Sequence, residues 1–411
     1  MSLRFDLQKQ HLPCTTELAP RLSDKVVPYI GLQNIPPLLN RRVILIATAS
    51  INSGNIFSNG LFQNIYLIYR ISEALGWLPI FVVSEKPKSI DDIPKVLHNC
   101  RIASLDDIVK QPIPVGIYLE IGMSVDKGTR SFLKMLGARI CKLYLGNILN
   151  IDIETPTFYF PMSFVHHSVG GHDEIWFSPH YQMHAQYGAA LNHIEPGGGC
   201  QRIAPYIWDP SILMDDGRRQ LAWRQTKPGE QEIIIIMEPN ISFQKCSLIP
   251  LMIAESYCRR HPDWNGQVLV INGEKLLQST YFLPSIYQHL QIVKQDKIKL
   301  CGRRDMKDIM VEYPNLVAIC HNINNDYNYM TMELLHTGFP LIHNSGSWKD
   351  YGYYFNENDI DGGVRMLESV FEAHHQRLET YKSHARALAW RHSLYNPDNQ
   401  KGWKELLDVS G

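Results

Sequence analysis

No two cysteines in the 411-residue sequence are spaced as a CxxC pair; all eight lie at long, irregular intervals. That spacing reads as reduced thiols and argues against a disulfide framework or a zinc ribbon. Nor is there a block of five Lys or Arg, and 40 basic against 41 acidic side chains leave a formal charge of −1. The basic surplus on which phosphate-backbone binding draws is missing, so nucleic acid is not expected as a partner. Apolar runs such as Val43–Ala49 and Ile233–Met237 stop well short of the ~18–20 residues a membrane helix needs. The opening MSLRFDLQKQ has no apolar signal core. Together these gaps read as a soluble, cytoplasmic protein for which a membrane is at most a peripheral contact.

Familiar nucleotide and hydrolase motifs are missing as well. No GxxxxGK[ST] occurs, and after the run 43–49 the glycines Gly54 and Gly60 stand six apart instead of forming GxGxxG. Neither a P-loop nor a dinucleotide fingerprint is available. GxSxG and HExxH do not occur, which removes the commonest serine-hydrolase and zinc-protease signatures. Six histidines crowd into 166–193 (His166, His167, His172, His180, His184, His193). No cysteine or spaced carboxylate completes a recognisable ligand set with them, so no metal site is expected.

Hydrophobic residues make up 45% of the chain, and their pattern is that of an α/β protein. Residues 1–40 show no periodicity and read as an arm. VILIATA (43–49) is a continuous β-branched run typical of a buried parallel strand. GLFQNIYLIYRISEALG (60–76) carries apolar residues at helical spacing and ends at a glycine. LPIFVV (78–83), PVGIYLEI (114–121), ARICKLYLG (138–146) and DEIWFS (173–178) continue the alternation. After the Gly- and Pro-rich stretch 195–210, read as a linker, a second cycle runs through strands at 232–237, 267–272, 297–302, 315–320 and 339–344. Helices are expected near 247–260, 280–292, 327–336, 362–378 and 379–392. The expectation is two Rossmann-like domains facing a cleft. The first covers 41–205 and the second covers 206–379.

The densest chemistry lies in NNDYNYMTMELLHTGFPLIHNSGS (324–347), which parses as helix, glycine stop, strand and tight turn. Asn325 or Asp326 is placed to cap the helix, and Glu333 falls inside it. Here the chain resembles the nucleotide-sugar glycosyltransferases of GT-B type, and the resemblance implies a C-terminal helix crossing back to the first domain, so that 380–411 completes it with Trp390, Tyr395 and Trp403 packing at the crossing. Many retaining members carry a Glu, a few residues and then a GxP strand start, and ELLHTGFPLI (333–342) is similar to that segment. The resemblance gives Glu333 the donor ribose and Asn325, where those enzymes have a carboxylate, the donor sugar. In MEPNISFQK (237–245), Lys245 matches the lysine of the family's diphosphate-binding pair and Asn240 stands where its arginine does. Arg303 and Arg304, just past KIKLCG, are candidates for the missing cation. Ser345 and Gly346 complete the implied donor site.

In the first half, NSGNIFSNGLFQN (52–64) sets small residues at a helix start, where free amides favour phosphate or sugar groups. Ser58, Asn59, Gly60, Gln63 and Asn64 form this acceptor or phosphate loop. SNGLFQN, GNILNIDIE (146–154), PYIWDP (205–210), EPN and GFPLIHNS together are similar to a GT-B-like group of bacteria and large viruses. The resemblance implies sugar transfer from a nucleotide-diphosphate donor to a hydroxyl acceptor such as a glycan, metal-independent and with retention, needing no bound cofactor. An inverting route would need a general base, for which Glu120, Asp152, Glu154 and His166 are candidates. A hydrolysing sugar-nucleotide epimerase of the same fold, or a non-catalytic nucleotide-sugar or glycan binder, is the alternative. Oligomeric state is not legible.

Overall fold

The computed structural model describes residues 31–32, 42–48, 50–51, 60–158, 169–195, 199–214 and 221–408. Seven parallel strands form the first sheet: β1 (Val43–Ala47), β2 (Leu78–Val83), β3 (Ile102–Ser104), β4 (Ile117–Glu120), β5 (Arg139–Tyr144), β6 (Glu174–Phe177) and β7 (Gln201–Ile203). Their order is β3-β2-β1-β4-β5-β6-β7. Six more form the second: β8 (Glu232–Ile236), β9 (Gly266–Val270), β10 (Ile298–Leu300), β11 (Leu316–Ile319), β12 (Leu341–His343) and β13 (Tyr353–Tyr354), in the order β10-β9-β8-β11-β12-β13. Both sheets therefore double back beside their first strand, and the crevice at that switch point opens at the carboxyl ends of the strands.

The continuous apolar runs are explained by burial on both faces. Ile44 and Ile46 of β1 join one core cluster, while Val43, Leu45 and Ala47 join another on the opposite face. Strands of this kind cannot alternate in polarity, because neither face meets water. The expected strands are present, and three short ones were not foreseen. β3, β7 and β13 have three, three and two residues, too few to carry a pattern. β7 lies inside the stretch read as a linker.

Two helical expectations change. The segments read as separate helices at 362–378 and 379–392 are one 33-residue helix, Ile360–His392; past Gly363 it contains neither Gly nor Pro to break it. The helix expected near 280–292 is instead a string of short turns, Phe282–Ser285, Tyr287–His289 and Gln291–Lys294, broken at Ile286 and Leu290. The helix of the densest motif runs Tyr329–Thr337 and is capped by Asn328, whose side chain accepts from the Met330 amide, not by Asn325 or Asp326. Gly338 ends it at φ +81°, and a Cβ there would meet Lys382 Cε at 2.7 Å.

After its long helix the chain returns to the first sheet. The Trp208 amide donates to His392 O at 2.8 Å. Trp348 Nε1 donates to His392 Nε2 at 3.1 Å, and His392 Nδ1 in turn donates to Tyr206 O at 3.2 Å. The final helix, Pro397–Leu407, buries Trp403 edge-on against Trp176. Trp403 Nε1 donates to Pro205 O, and Arg139 Nη2 donates to Leu406 O at 2.7 Å. Trp390 and Tyr395 are half-buried at this crossing. The seven described cysteines are free. Among the described residues no helix is long and apolar enough to cross a membrane.

Candidate functional site in the interdomain cleft

Glu120 ends β4 with its side chain fully buried. It is not left free to act as a base. Arg130 Nε and Nη2 donate to its two oxygens at 3.0 and 3.1 Å, and His172 Nε2 approaches Oε2 at 3.0 Å. Asn192 fixes the imidazole: its Nδ2 donates to Gly188 O, so Oδ1 is the acceptor that faces His172 Nδ1 at 3.1 Å. Burial alone would favour the neutral acid, but the hydrogen bonds from His172 and Arg130 outweigh it and hold the carboxyl down at about 2.

Asp152 and Glu154 do not follow a strand; both stand on the helix Ile148–Phe158. Asp152 Oδ2 accepts from Tyr187 Oη at 2.6 Å. Buried Glu154 crosses the cleft, its Oε1 accepting from Ser242 Oγ at 3.0 Å and from the Phe243 amide at 3.1 Å. Ser58, Asn59 and His166 lie outside the described residues.

On the second domain's side, the loop after β8 is shaped by Asn240. Its φ of +51° is a left-handed conformation, which Asn tolerates better than most residues. Asn240 Nδ2 donates to Glu238 O and Asn272 O, and Oδ1 accepts from the Ser247 amide at 2.9 Å. An arginine would not fit this clamp, so Asn240 builds the turn where the family's cation would be. Lys245, at the end of the same turn, is half-buried and lines the cleft. Burial lowers its pKa, opposed by nearby Glu238. Glu238 is itself pushed up to about 7 by burial, against the pull of Lys245 and the His321 amide.

Glu333 is buried, not a solvated helix position. Its Oε1 accepts from Gln63 Nε2 of the first domain at 2.9 Å, so two sequence-predicted residues 270 positions apart meet. Burial pushes the carboxyl up to about 7 against that hydrogen bond. Beside them Tyr329 Oη donates to Asn64 Oδ1 at 2.6 Å, and a Cβ on Gly60 would meet the Tyr329 ring at 3.2 Å. Asn325 Oδ1 accepts from Tyr181 Oη at 2.5 Å, again across the cleft. Arg304 pairs with Glu312 and Arg303 is exposed. Ser345 Oγ accepts from Asn322 Nδ2 at 2.9 Å, and Gly346 opens a short turn beside Asp326.

Between the walls lies a cavity of about 570 Å³. Gly60, Asn64, Asp152, Lys245 and Asn325 line it; Gln63, Glu120, Glu154, Asn240, Arg303, Arg304, Glu333, Ser345 and Gly346 stand outside that lining. Sequence reasoning missed Lys142 and the aromatic wall of Tyr144, His180, Tyr181, Tyr206 and Tyr327. Lys142 was concealed in a strand whose pattern speaks only of packing. The His180 ring lies 4.7 Å from that of Tyr327, and burial, with Lys245 adding to it, takes its pKa down to about 3, so the imidazole is neutral. Among the described residues no group of three or more His, Cys, Asp or Glu is placed to hold a metal ion.

A family model described as a protein of unknown function (DUF2827) matches residues 44–407. No curated protein matches the sequence. Among solved structures, the chain is similar to a sucrose-phosphate synthase from Thermosynechococcus elongatus, with 12% identity over 89% of this chain and 98% of that one and a TM-score of 0.53. It is also similar to an α,α-trehalose-phosphate synthase (UDP-forming) from Burkholderia xenovorans in complex with glucose-6-phosphate (11% identity, 90% and 100% coverage, TM-score 0.54). A trehalose-6-phosphate structure from E. coli bound with UDP-2-fluoro glucose shares 10% identity, with 90% and 99% coverage and a TM-score of 0.55. At these identities the likeness establishes the fold, two Rossmann-like domains facing a cleft in the GT-B manner, with the last helix packed on the first domain.

Proposed function

The chain belongs to the DUF2827 family, whose description assigns no activity, and from its cleft we propose that it is a glycosyltransferase using a nucleotide-diphosphate sugar. The observation that carries this reading is Lys245. It lines the cavity at the carboxyl end of the second sheet's first strand, beside the start of the helix Leu248–Arg260, and no carboxylate lies within ion-pair distance of it among the described residues. A cation so placed, at the positive end of a helix, suits a diphosphate. The three solved relatives add support, since their names speak of sugar-phosphate synthases and of a bound UDP sugar.

In this reaction the bond from the sugar's anomeric carbon to the diphosphate oxygen breaks, its electron pair leaving with the nucleotide. The acceptor oxygen bonds to the anomeric carbon, and its proton passes to the departing phosphate in a retaining course or to a base in an inverting one. Lys245 offsets the charge that develops on the diphosphate, with Arg303 as the second cation. Glu333 accepts from the ribose hydroxyls once Gln63 withdraws, and Asn325 contacts the donor sugar. Asp152 is the best-placed base candidate, as it alone among the described candidates lines the cavity. Retention, metal independence and a glycan acceptor follow the family resemblance. The neutral side chains at 240 and 325 are what favour the second reading, a non-catalytic binder.

Nucleotide release from a panel of nucleotide sugars, measured with and without hydroxyl acceptors, tests this. Acceptor-dependent release is expected; release without any acceptor would indicate an epimerase or hydrolase, and binding without release a binder. Lys245→Ala should weaken UDP binding by about 1.5–3 kcal/mol, roughly ten- to a hundredfold. Unchanged affinity in calorimetry would remove Lys245 from the site.

A further inference from the structure

The cavity has a second lysine, on the opposite wall, for which the donor has no use. Lys142 sits in β5, 5% exposed, and lines the cavity from the first sheet. Its Nζ donates to Ser124 Oγ at 3.2 Å and lies 5.8 Å from the centre of the Tyr144 ring. Neither partner carries negative charge. The charged groups that act on it are Glu120 and Arg130, and Glu120 is already held by Arg130 and His172. Two cations, Lys142 and Arg130, and one carboxylate leave this buried cluster with a surplus positive charge.

A packing explanation fails on chemistry. Ile140, two residues earlier on the same strand face, joins a hydrophobic cluster, and a leucine at 142 would extend that cluster without desolvating a charge. Lys142 stands opposite Glu120 in the β4–β5 register, but Arg130 and His172 already occupy that carboxylate's oxygens; a buried ammonium that must share its counter-charge is costly, and it is tolerated where a ligand completes it. Lys142 also lies at the carboxyl end of a central strand, where ligands of such sheets bind.

We propose that Lys142, with Ser124 beside it, holds a compact anionic group, a phosphate monoester or a carboxylate, on the acceptor. The acceptor is then a hydroxyl compound of the sugar-phosphate or uronic-acid kind, not a neutral glycan end. This rests on the glycosyltransferase reading for the word acceptor, while the anion site itself rests on Lys142 alone. Asp152, the other charged side chain of this wall, is turned to Tyr187 and is left to receive the acceptor hydroxyl.

Calorimetry of the full chain with UDP present, using glucose 6-phosphate, glucuronate and glucose as probes, tests the site. One or both anionic probes should bind roughly tenfold or more tightly than glucose, and the preference should shrink as salt is raised. Which of the two binds distinguishes phosphate from carboxylate. Lys142→Met should abolish the preference and leave UDP affinity unchanged, while Lys142→Arg should keep much of it. Equal binding of charged and neutral probes, or parental behaviour in Lys142→Met, overturns the proposal. So does a loss of UDP affinity in Lys142→Met comparable to that in Lys245→Ala, which would make Lys142 a donor contact. If Lys142→Met fails to fold, a salt-insensitive preference in Lys142→Arg overturns it equally. Failure of UDP to bind the parent while an anionic probe binds would break the donor reading and leave the anion site standing.

Discussion

The two walls of the cleft treat buried carboxylates in opposite ways. On the first domain's side Glu120 is saturated, with a bidentate arginine and a histidine on its two oxygens, and its pKa is held at about 2. On the second domain's side Glu333 and Glu238 each meet, among the described residues, a single neutral donor, the Gln63 amide and the His321 backbone N–H, and burial takes both to about 7. Saturation is what a structural charge requires. A carboxylate with lone pairs to spare is instead poised for a ligand, and under the proposed function the difference separates the wall that holds its shape from the wall assigned to the nucleotide.

The largest effect should come from breaking the saturated side. Glu120→Ala leaves Arg130 and Lys142 buried without a counter-charge, and a loss of about 3–5 kcal/mol is expected, read as a marked fall in the first domain's unfolding temperature. A variant as stable as the parent would mean that water reaches Arg130.

The next effect is on pH dependence. Since Glu333 titrates near 7 when folded and at 4.5 when unfolded, the folded state holds more protons between these values, and stability from this group falls as pH rises from 4.5 through 7. Glu120, depressed to about 2, works the other way: its contribution is present above 4.5 and is lost as pH falls toward 2. Buried neutral His180, His374 and His392, with pKa values lowered to between about 3 and 4, oppose the Glu333 trend below pH 6.5. The difference between parent and Glu333→Gln is therefore the measurement. The variant should gain up to about 3 kcal/mol relative to the parent between pH 5 and pH 8. Parallel stability curves would place the carboxylate in contact with solvent.

The smallest effect should follow Gln63→Ala, which removes one interdomain hydrogen bond. About 1 kcal/mol of stability should be lost at pH 8, and the decline with rising pH should steepen because Glu333 loses its donor. Crossing Gln63→Ala with Glu333→Gln in a double-mutant cycle isolates the pair; strict additivity would show that the contact contributes nothing.

The sheets were legible because strands buried on both faces must be apolar throughout, so β1, β2 and β8 stand out as runs. β3 and β13 were not, since a two- or three-residue edge strand is defined by its neighbour's hydrogen bonds and not by its own pattern. The site was legible in part for a similar reason. Residues at strand ends and in the 324–347 motif could be singled out, but their partners lie far off in sequence: Arg130 is 10 residues from Glu120, and Gln63 is 270 from Glu333. Whether a carboxylate is spent or available depends on those partners. Asn240 shows the same limit, because nothing local reveals that its amide is consumed by the turn it builds.

The returning helix also fixes an order of events during synthesis. β7 of the first sheet ends at Ile203, whereas the helix that covers that sheet spans Pro397–Leu407. Roughly two hundred residues, the whole second sheet among them, must be translated in between, which at ~5–20 residues per second takes about 10–40 s. During that interval Trp176 and the Arg139 guanidinium are without Trp403 and the Leu406 carbonyl, their partners in the finished fold. The second sheet, contiguous in the chain, can fold as soon as it emerges. The growing chain thus presents a finished second domain beside a first domain that still lacks a wall, and a nascent-chain chaperone would be expected to engage the latter.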